Sequence, residues 1–287
     1  MTFPPAPWRV VIASRILPVV RGIDTVVRQA GHEPVGVLAT LHYARRYGRP
    51  EEVGELVYEA PPELDFLVPA NRDRIAPLLE SLRPDLVVCM GFSWRVPPEA
   101  LAVPPLGWLN GHPSLLPRHR GPTPMAWAIR DGDLEAGFSW HRMDAALDTG
   151  PVLAQASFPL GEPGPPEELY GRTGEVLLTT LAEALARLAA GEVGAPQEGG
   201  DYQSFFGADD VRLDLARPAV EVHRLVWAWR YAFSPGLTHG ALLELDGETV
   251  RVLASSLVEV EGARRVECGD GPLWLLETEP LEPATDD

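Results

Sequence analysis

Two polar side chains stand two positions apart at the end of an apolar run, and a carboxylate follows them in a turn. They are Asn110, His112 and Asp148, the last in the segment Leu-Asp-Thr-Gly-Pro. In an extended segment, residues i and i+2 point to the same side, so Asn110 and His112 share a face. A carboxamide can donate to a developing oxyanion, and a histidine can act as a base or, when protonated, as a second donor. A carboxylate that orients or charge-stabilises the histidine completes a set for acid–base chemistry.

The same stretch lacks an activated nucleophile. Ser114 lies nearby but does not stand in a Gly-x-Ser-x-Gly elbow. A donor, a histidine and a carboxylate without such a nucleophile indicate direct attack by the substrate, with no covalent enzyme intermediate. A structural histidine and a turn-forming aspartate are the alternatives on residue types alone. The spacing of His112, His119 and His141 matches no zinc signature, so the sequence predicts no metal site.

The elements that must position these residues begin with a strand, a helix and a second strand. Residues 8–14 form a short β-branched run, residues 19–30 have helical spacing before Gly31, and residues 34–39 form the second strand. This β-α-β order is typical of a parallel sheet. The turn after the first strand lacks Gly-x-Gly-x-x-Gly, which argues against a dinucleotide site.

Two further apolar strands, residues 84–91 and 106–110, place Asn110 at a strand's carboxyl end, where ligands collect in open α/β sheets. A long amphipathic helix is predicted over residues 167–190. Shorter helices are predicted over residues 71–82, 122–129 and 219–232. Further strands are predicted over residues 137–143, 152–158, 241–245, 249–253 and 273–276, with glycine-containing turns between the last three. The fold class predicted is α/β, with a Rossmann-like, mostly parallel sheet and a smaller C-terminal β-rich domain resembling an OB barrel. The expected division is a catalytic domain over residues 1–195, a linker over 196–210 and the small domain over 211–287.

The composition excludes several classes of protein. All 24 basic residues of the 287-residue chain are arginine, so lysine Schiff-base enzymes and lysine-containing phosphate loops are excluded. The formal charge of −17 argues against binding to nucleic acid or anionic membranes through diffuse positive charge. Cys89 and Cys268 give neither a disulfide framework nor a thiolate zinc set. With no signal peptide and no membrane-spanning stretch in the sequence, we expect a cytoplasmic protein.

A longer ordered pattern surrounds the candidate site. Asn110-x-His112-x-Ser114-Leu-Leu-Pro, then Arg120-Gly, then the Leu-Asp148-Thr-Gly-Pro turn, closely resembles the formyltransferase family that uses 10-formyltetrahydrofolate. Its members act on methionyl-tRNA, glycinamide ribonucleotide or sugar nucleotides, and one branch hydrolyses the folate. The resemblance implies that Asn110 and protonated His112 stabilise the oxyanion formed when a substrate amine attacks the formyl carbon. It implies that Asp148 holds the histidine charge and helps to remove the amine proton.

The resemblance also implies a folate pocket built from two loops, with 10-formyltetrahydrofolate as the formyl donor and no metal. The residues that match the folate-contacting loops are Met90, Gly91, Phe92, Ser93, Asp144 and Leu147.

A basic and aromatic segment over residues 40–54 interrupts the strand and helix pattern and is interpreted as a loop. Its candidates for binding an anionic substrate group are His42, Tyr43, Arg45, Arg46 and Arg49; a solvated loop is the alternative. Residues 212–287 carry seven arginines against fourteen acidic residues, the wrong sign for a tRNA-binding domain. We therefore expect a small amine as acceptor, such as an aminosugar nucleotide, an amino acid or a hydroxamate precursor, and neither nucleic acid nor membrane as a partner.

Three alternatives stand beside this expectation. A methionyl-tRNA formyltransferase would require tRNA binding by an acidic chain. A formyltetrahydrofolate hydrolase usually carries an N-terminal regulatory domain, and the first strand begins by about Trp8, so we expect none here. A non-catalytic binding protein on the same fold is opposed by the intact set of Asn110, His112 and Asp148. The oligomeric state, a homodimer included, is left open by the sequence.

Overall fold

The computed structural model describes residues 6–42, 50–162, 164, 166–232 and 240–281. Within them, the larger of two sheets has seven strands in the order β3-β2-β1-β4-β5-β6-β7. Its strands are β1 Arg9–Ala13, β2 Glu33–Leu38, β3 Asp65–Leu67, β4 Leu86–Cys89, β5 Trp108–His112, β6 Glu135–Arg142 and β7 Val152–Pro159. Strands β1 to β5 are parallel, and β6 runs antiparallel to β5. The predicted Rossmann-like, mostly parallel sheet is confirmed.

Helices of the described chain follow most of the predicted helical patterns. They are α1 Leu17–Gln29, α2 Pro50–Glu59, α3 Ile75–Leu82, α4 Pro98–Leu101, α5 Pro124–Asp131, α6 Pro166–Ala189 and α7 Ala219–Ala228. Short 3-10 turns cover Arg72–Arg74 and Ala208–Asp210. Among the described residues, no helix is long and apolar enough to cross a membrane.

The interpretation of residues 40–54 as one loop is wrong from Pro50 onward. Residues from Pro50 onward form α2, whose Leu56 is only 1% exposed and belongs to the core of the large sheet. Leu56, with Ala60 just after the helix, belongs to the buried cluster, whereas Val57 is exposed, so the described side chains show only a weak helical periodicity.

Both faces of the large sheet are covered, which explains the apolar strand sequences. Val10 and Ile12 of β1 belong to one buried cluster, which includes residues of α1 and α6. Val11 and Ala13 belong to the other cluster, with residues of α3. Because successive side chains of a strand alternate between faces, β1 must be apolar throughout.

The smaller sheet consists of four antiparallel strands in the order β10-β11-β9-β8. They are β8 Ala241–Leu245, β9 Glu248–Ser256, β10 Arg264–Cys268 and β11 Gly271–Pro280. The predicted small β-rich C-terminal part is thereby confirmed. Strand β10 was missed, because its Arg-Arg-Val-Glu-Cys sequence has one apolar position between charged ones and is largely exposed.

Backbone contacts divide the chain into two compact units. Unit 1 contains residues 1–118, 137–157 and 172–200, and unit 2 contains residues 119–136, 158–171 and 201–287. Unit 2 thus includes α5, which packs against α7. The expected boundaries at 195 and 210 stay a prediction.

Candidate active site

Two neighbouring antiparallel strands of unit 1 bring the predicted polar residues together. In the register of β5 and β6, Asn110 lies opposite His141 and His112 lies opposite Ser139. Directly opposite residues on antiparallel strands share a face, so these four side chains project to one side of the sheet. Gly111 faces the other way, where an added Cβ would lie 2.8 Å from the Phe138 ring.

His141 is the residue that fixes the Asn110 carboxamide. Its ring is 2% exposed, its Nδ1 lies 3.0 Å from the Arg142 carbonyl oxygen, and its Nε2 lies 3.0 Å from Asn110 Nδ2. The Arg142 carbonyl can only accept, so Nδ1 carries the proton and the neutral ring accepts from the carboxamide at Nε2. One N–H of Asn110 is thereby fixed, and the second N–H of the same group stays available for a substrate oxygen.

Asp148 supplies a negative charge between the two histidines. Its Oδ1 lies 3.7 Å from His112 Nδ1 and 3.7 Å from His141 Nε2. Since His141 Nε2 already accepts from Asn110, His112 is the ring whose positive charge this carboxylate would stabilise. His112 is 5% exposed, and a weakly hydrated site strengthens that attraction.

The backbone of the Asp148 turn is held in an uncommon conformation. Asp148 has φ +57, in the left-handed region, and Gln197 Nε2 donates to the carbonyls of Asp148 at 3.0 Å and Gly150 at 2.7 Å. An added Cβ at Gly150 would collide with the Arg142 carbonyl oxygen, so only glycine allows the turn to approach β6 this closely. Gln197, within the predicted linker, therefore helps to position the carboxylate.

A buried serine supports the segment after His112. Ser139 is 0% exposed; its Oγ donates to the Ser114 carbonyl at 2.5 Å and accepts from Leu116 N–H at 3.1 Å. Gln155 Nε2 donates to the same hydroxyl at 2.7 Å. These bonds fix the chain that leaves β5, and with it the direction of His112.

The two predicted folate loops lie next to the polar set and are tied to each other. The Met90–Ser93 turn follows β4, whose Cys89 pairs with Asn110 in the sheet register. Arg95, just beyond it, donates to the Ala145 carbonyl in the second loop. In that loop Asp144 Oδ1 accepts from Ala146 N–H at 3.0 Å and Thr149 Oγ1 at 2.8 Å, while Leu147 is 45% exposed.

Aromatic rings give these loops an apolar wall. Phe92 is partly buried and lies edge-on to Trp94 at 6.5 Å between ring centroids. The Trp108 ring lies 6.3 Å from the Phe92 ring, at an interplanar angle of 55°. Such a wall, next to backbone donors and acceptors of a tight loop, suits a planar heterocycle.

Cys89 stands at the end of β4 but is no nucleophile. Complete burial, with a smaller contribution from the charge of Asp148, raises the pKa of its thiol to about 12. A thiol with that pKa is protonated at neutral pH and unreactive.

Of the predicted substrate-binding residues, His42 is described: it is exposed, and its ring lies 6.2 Å from the Trp94 ring. Tyr43, Arg45, Arg46 and Arg49 lie outside the described residues. His119 belongs to unit 2, where it lies 2.8 Å from Asp133 and 2.6 Å from Gln203. In the part of the chain that is described, no group of three histidine, cysteine or carboxylate residues could hold a metal ion.

The site therefore offers one oriented carboxamide donor, one histidine beside a carboxylate, and an adjacent aromatic wall. Its geometry suits stabilisation of an oxyanion together with proton transfer. The sequence missed His141 and Gln197; for His141 the available signal was its place in an alternating strand that pairs with β5, and for Gln197 there was none.

Comparisons with known proteins identify relatives of this chain. The family described as formyl transferase matches residues 67–185. Methionyl-tRNA formyltransferase from Pseudomonas fluorescens is 38% identical over 189 residues, which cover 64% of this chain and 57% of that protein. The Sinorhizobium medicae methionyl-tRNA formyltransferase is 36% identical over 238 residues, 76% of this chain and 75% of its own. The chain thus spans little more than half of the first of these relatives and three quarters of the second.

Solved structures share the fold. HypX from Aquifex aeolicus in complex with tetrahydrofolic acid superposes with a TM-score of 0.66 at 18% identity, over 96% of this chain and 45% of HypX.

Proposed function

This chain belongs to the formyl transferase family, and from that premise we propose that it moves a formyl group from 10-formyltetrahydrofolate to a primary amine. The observation that carries the proposal is the convergence of Asn110, His112 and Asp148 on one face at the carboxyl end of β5. The predicted site residues match the family pattern, and the aromatic wall beside them suits a pterin ring.

The three residues act together in the proposed reaction. Asn110 Nδ2 and protonated His112 donate to the formyl oxygen while the amine nitrogen bonds to the formyl carbon. Asp148 stabilises the imidazolium and accepts the proton that the amine loses, directly or through a water. The bond between the formyl carbon and the folate N10 then breaks, and the proton passes to N10, so that tetrahydrofolate and the N-formyl amine leave.

The two linked loops would form the pocket for the formyl donor. Phe92 and Trp94 would contact the planar ring, and the 143–147 loop would offer backbone hydrogen bonds to its edge. Met90, Gly91, Ser93, Asp144 and Leu147 remain the proposed folate contacts.

For the acceptor, the relatives favour methionyl-tRNA over the small amine expected from the sequence. Both relatives described above are methionyl-tRNA formyltransferases, and each matches a segment much longer than the one that contains Asn110, His112 and Asp148. Methionyl-tRNA is therefore the acceptor that we propose first.

One structural observation favours a small amine as the second candidate. Six arginines of unit 2 each lie at ion-pair distance from a carboxylate of the same unit. The pairs are Arg130–Asp210, Arg212–Glu244, Arg217–Glu221, Arg251–Glu279, Arg264–Asp246 and Arg265–Glu267. A tRNA phosphate would have to compete with these carboxylates, and binding of nucleic acid depends on uncompensated positive charge.

The deciding experiment supplies the full chain with 10-formyltetrahydrofolate and either methionyl initiator tRNA or a set of small amines. Tetrahydrofolate formation and mass spectrometry of the acceptor report transfer. We expect His112→Ala to lower turnover by about 10²–10⁴-fold, the usual range for a positioned acid–base group. Steady release of formate without any amine would instead establish a hydrolase, and full activity of His112→Ala would refute the assignment of the site.

A gel shift with methionyl initiator tRNA at low salt separates the two acceptors. Binding that weakens steeply with salt supports the tRNA enzyme. Absence of binding, combined with formylation of a small amine, supports the second candidate.

A further inference from the structure

Unit 2 contains a cavity of about 490 Å³ that no step of the proposed formyl transfer uses. Apolar side chains form much of its wall: Ile129, Leu160, Val220 and Leu257. Its volume lies in the range of pockets that hold small organic ligands. Two basic side chains of α7, His223 and Arg224, also line it, which makes it more than an apolar void.

Arg224 brings a positive charge to a wall that also carries the carboxylates of Asp133 and Glu162. Its guanidinium lies against the backbone of Gly132, where any added Cβ would collide with it. Within the described chain, no carboxylate forms an ion pair with Arg224, in contrast to six other arginines of the same unit. Asp133, next to Gly132, is occupied by His119 at 2.8 Å.

His223 adds a buried polar atom to the same wall. The residue is 5% exposed, and its Nδ1 lies 3.0 Å from Ser255 Oγ, which holds the ring in place. Burial lowers the pKa of His223, and the charge of Arg224 adds to this against the opposing effect of Glu162. The ring is therefore neutral at neutral pH, and its Nε2 can form a hydrogen bond with a ligand without adding charge.

Together these features define the ligand. A guanidinium matches a carboxylate through two parallel hydrogen bonds, and the apolar wall suits a hydrocarbon body. Asp133 and Glu162 also line the cavity, and their negative charge disfavours a ligand with a second anionic group.

We propose that this cavity is a binding site for a small organic monocarboxylate with an apolar body, held by Arg224 and His223. The site lies wholly within unit 2 and does not depend on the identity of the formyl acceptor.

Calorimetric titration of the full chain with hexanoate, with its neutral isostere hexanamide and with hexyl phosphate tests the proposal. We expect saturable binding of hexanoate that is at least tenfold tighter than binding of the other two. Arg224→Gln should weaken hexanoate binding at least tenfold and leave hexanamide unchanged. The matched control is Arg230→Gln, an exposed arginine of the same unit that does not line the cavity, and it should bind hexanoate like the wild type.

Three outcomes would overturn the proposal: no saturable hexanoate binding, equal binding of hexanoate and hexanamide, or equal weakening by the two arginine substitutions. Val220→Phe, which fills the cavity from α7, should abolish binding of hexanoate and hexanamide alike; persistence of hexanoate binding in this variant would place the ligand elsewhere. Thermal melts establish that each variant is folded. If Arg224→Gln does not fold, the comparison of hexanoate with hexanamide on the wild-type chain decides the question.

Discussion

His141 has two separable tasks, and substitutions at this one residue can distinguish them. Its Nε2 accepts from Asn110, which bears on catalysis, and its Nδ1 donates to the Arg142 carbonyl, which bears on stability. We expect His141→Phe to lose both bonds. His141 is 2% exposed, so the substitution leaves the Arg142 carbonyl and the Asn110 carboxamide without this partner. Each loss lowers the free energy of unfolding by about 1–3 kcal/mol, with Asn110 at the lower end because water reaches it.

The effect of removing a whole oxyanion donor sets the upper limit for the loss of activity in His141→Phe. Removing an oxyanion donor altogether costs about 10²–10³ in turnover, and here the donor remains but is free to rotate. We therefore expect His141→Phe to lower kcat/KM by about 10–100-fold, or about 1.4–2.7 kcal/mol of transition-state stabilisation. KM for the folate should change little, because His141 does not line the aromatic wall.

Two conservative variants separate positioning from structure. A glutamine amide reaches the place of Nε2, so His141→Gln should restore the partner of Asn110 and most of kcat while leaving the Arg142 carbonyl unpaired. An asparagine amide reaches the place of Nδ1, so His141→Asn should restore stability but not kcat. Steady-state kinetics and thermal melts provide the two measurements.

The control is His32→Phe, which retains stacking on Trp8 at another edge of unit 1 and should leave kcat unchanged. Equal kcat for the Gln and Asn variants, or wild-type kcat for His141→Phe, would refute the positioning role.

The turn, the folate loops and the cysteines give three further tests. Gly150→Ala should lower activity at least 100-fold, because its Cβ would displace the Asp148 turn, whereas Gly174→Ala in α6 meets no neighbour and should stabilise the fold by about 0.5–1 kcal/mol. Arg95→Ala should raise KM for the folate several-fold with little change in kcat, because it releases the link between the two loops. Cys89 should resist alkylation in the native protein below pH 10. Burial and nearby carboxylates raise the pKa of Cys268, so this thiol should react slowly at pH 7 and faster as pH rises.

Each of these tests has a result that contradicts it. An active Gly150→Ala would mean that the turn tolerates movement of Asp148. An unchanged KM in Arg95→Ala, measured by initial rates at varied folate, would separate the loops from folate binding. Rapid alkylation of Cys89, detected by peptide mass spectrometry, would show that the end of β4 opens in solution. The raised pKa of Cys89 also implies that stability falls as pH rises above about 9 toward 12, since the unfolded chain loses that proton first.

The amino-acid sequence alone determined the parallel sheet and most of the helices, and it supplied the candidate catalytic residues. The strands of the sheet are short apolar runs, and α6 repeats leucine at helical spacing, so local periodicity was sufficient. Asn110 and His112 share a face because they are two residues apart in a strand, a property that needs no tertiary information. The helix α2 and the charged strand β10 gave too little periodicity and were missed.

The tertiary structure decided which residues contact Asn110 and the Asp148 turn. His141 reaches Asn110 only through the antiparallel register of β5 and β6, and Gln197 reaches the Asp148 turn from 49 positions further along the chain. The pairing of the unit 2 arginines with carboxylates was likewise invisible in a net charge, which sums charges without showing which are already neutralised. Such contacts depend on strand register and on packing between segments distant in sequence, which a pattern of neighbouring residues does not specify.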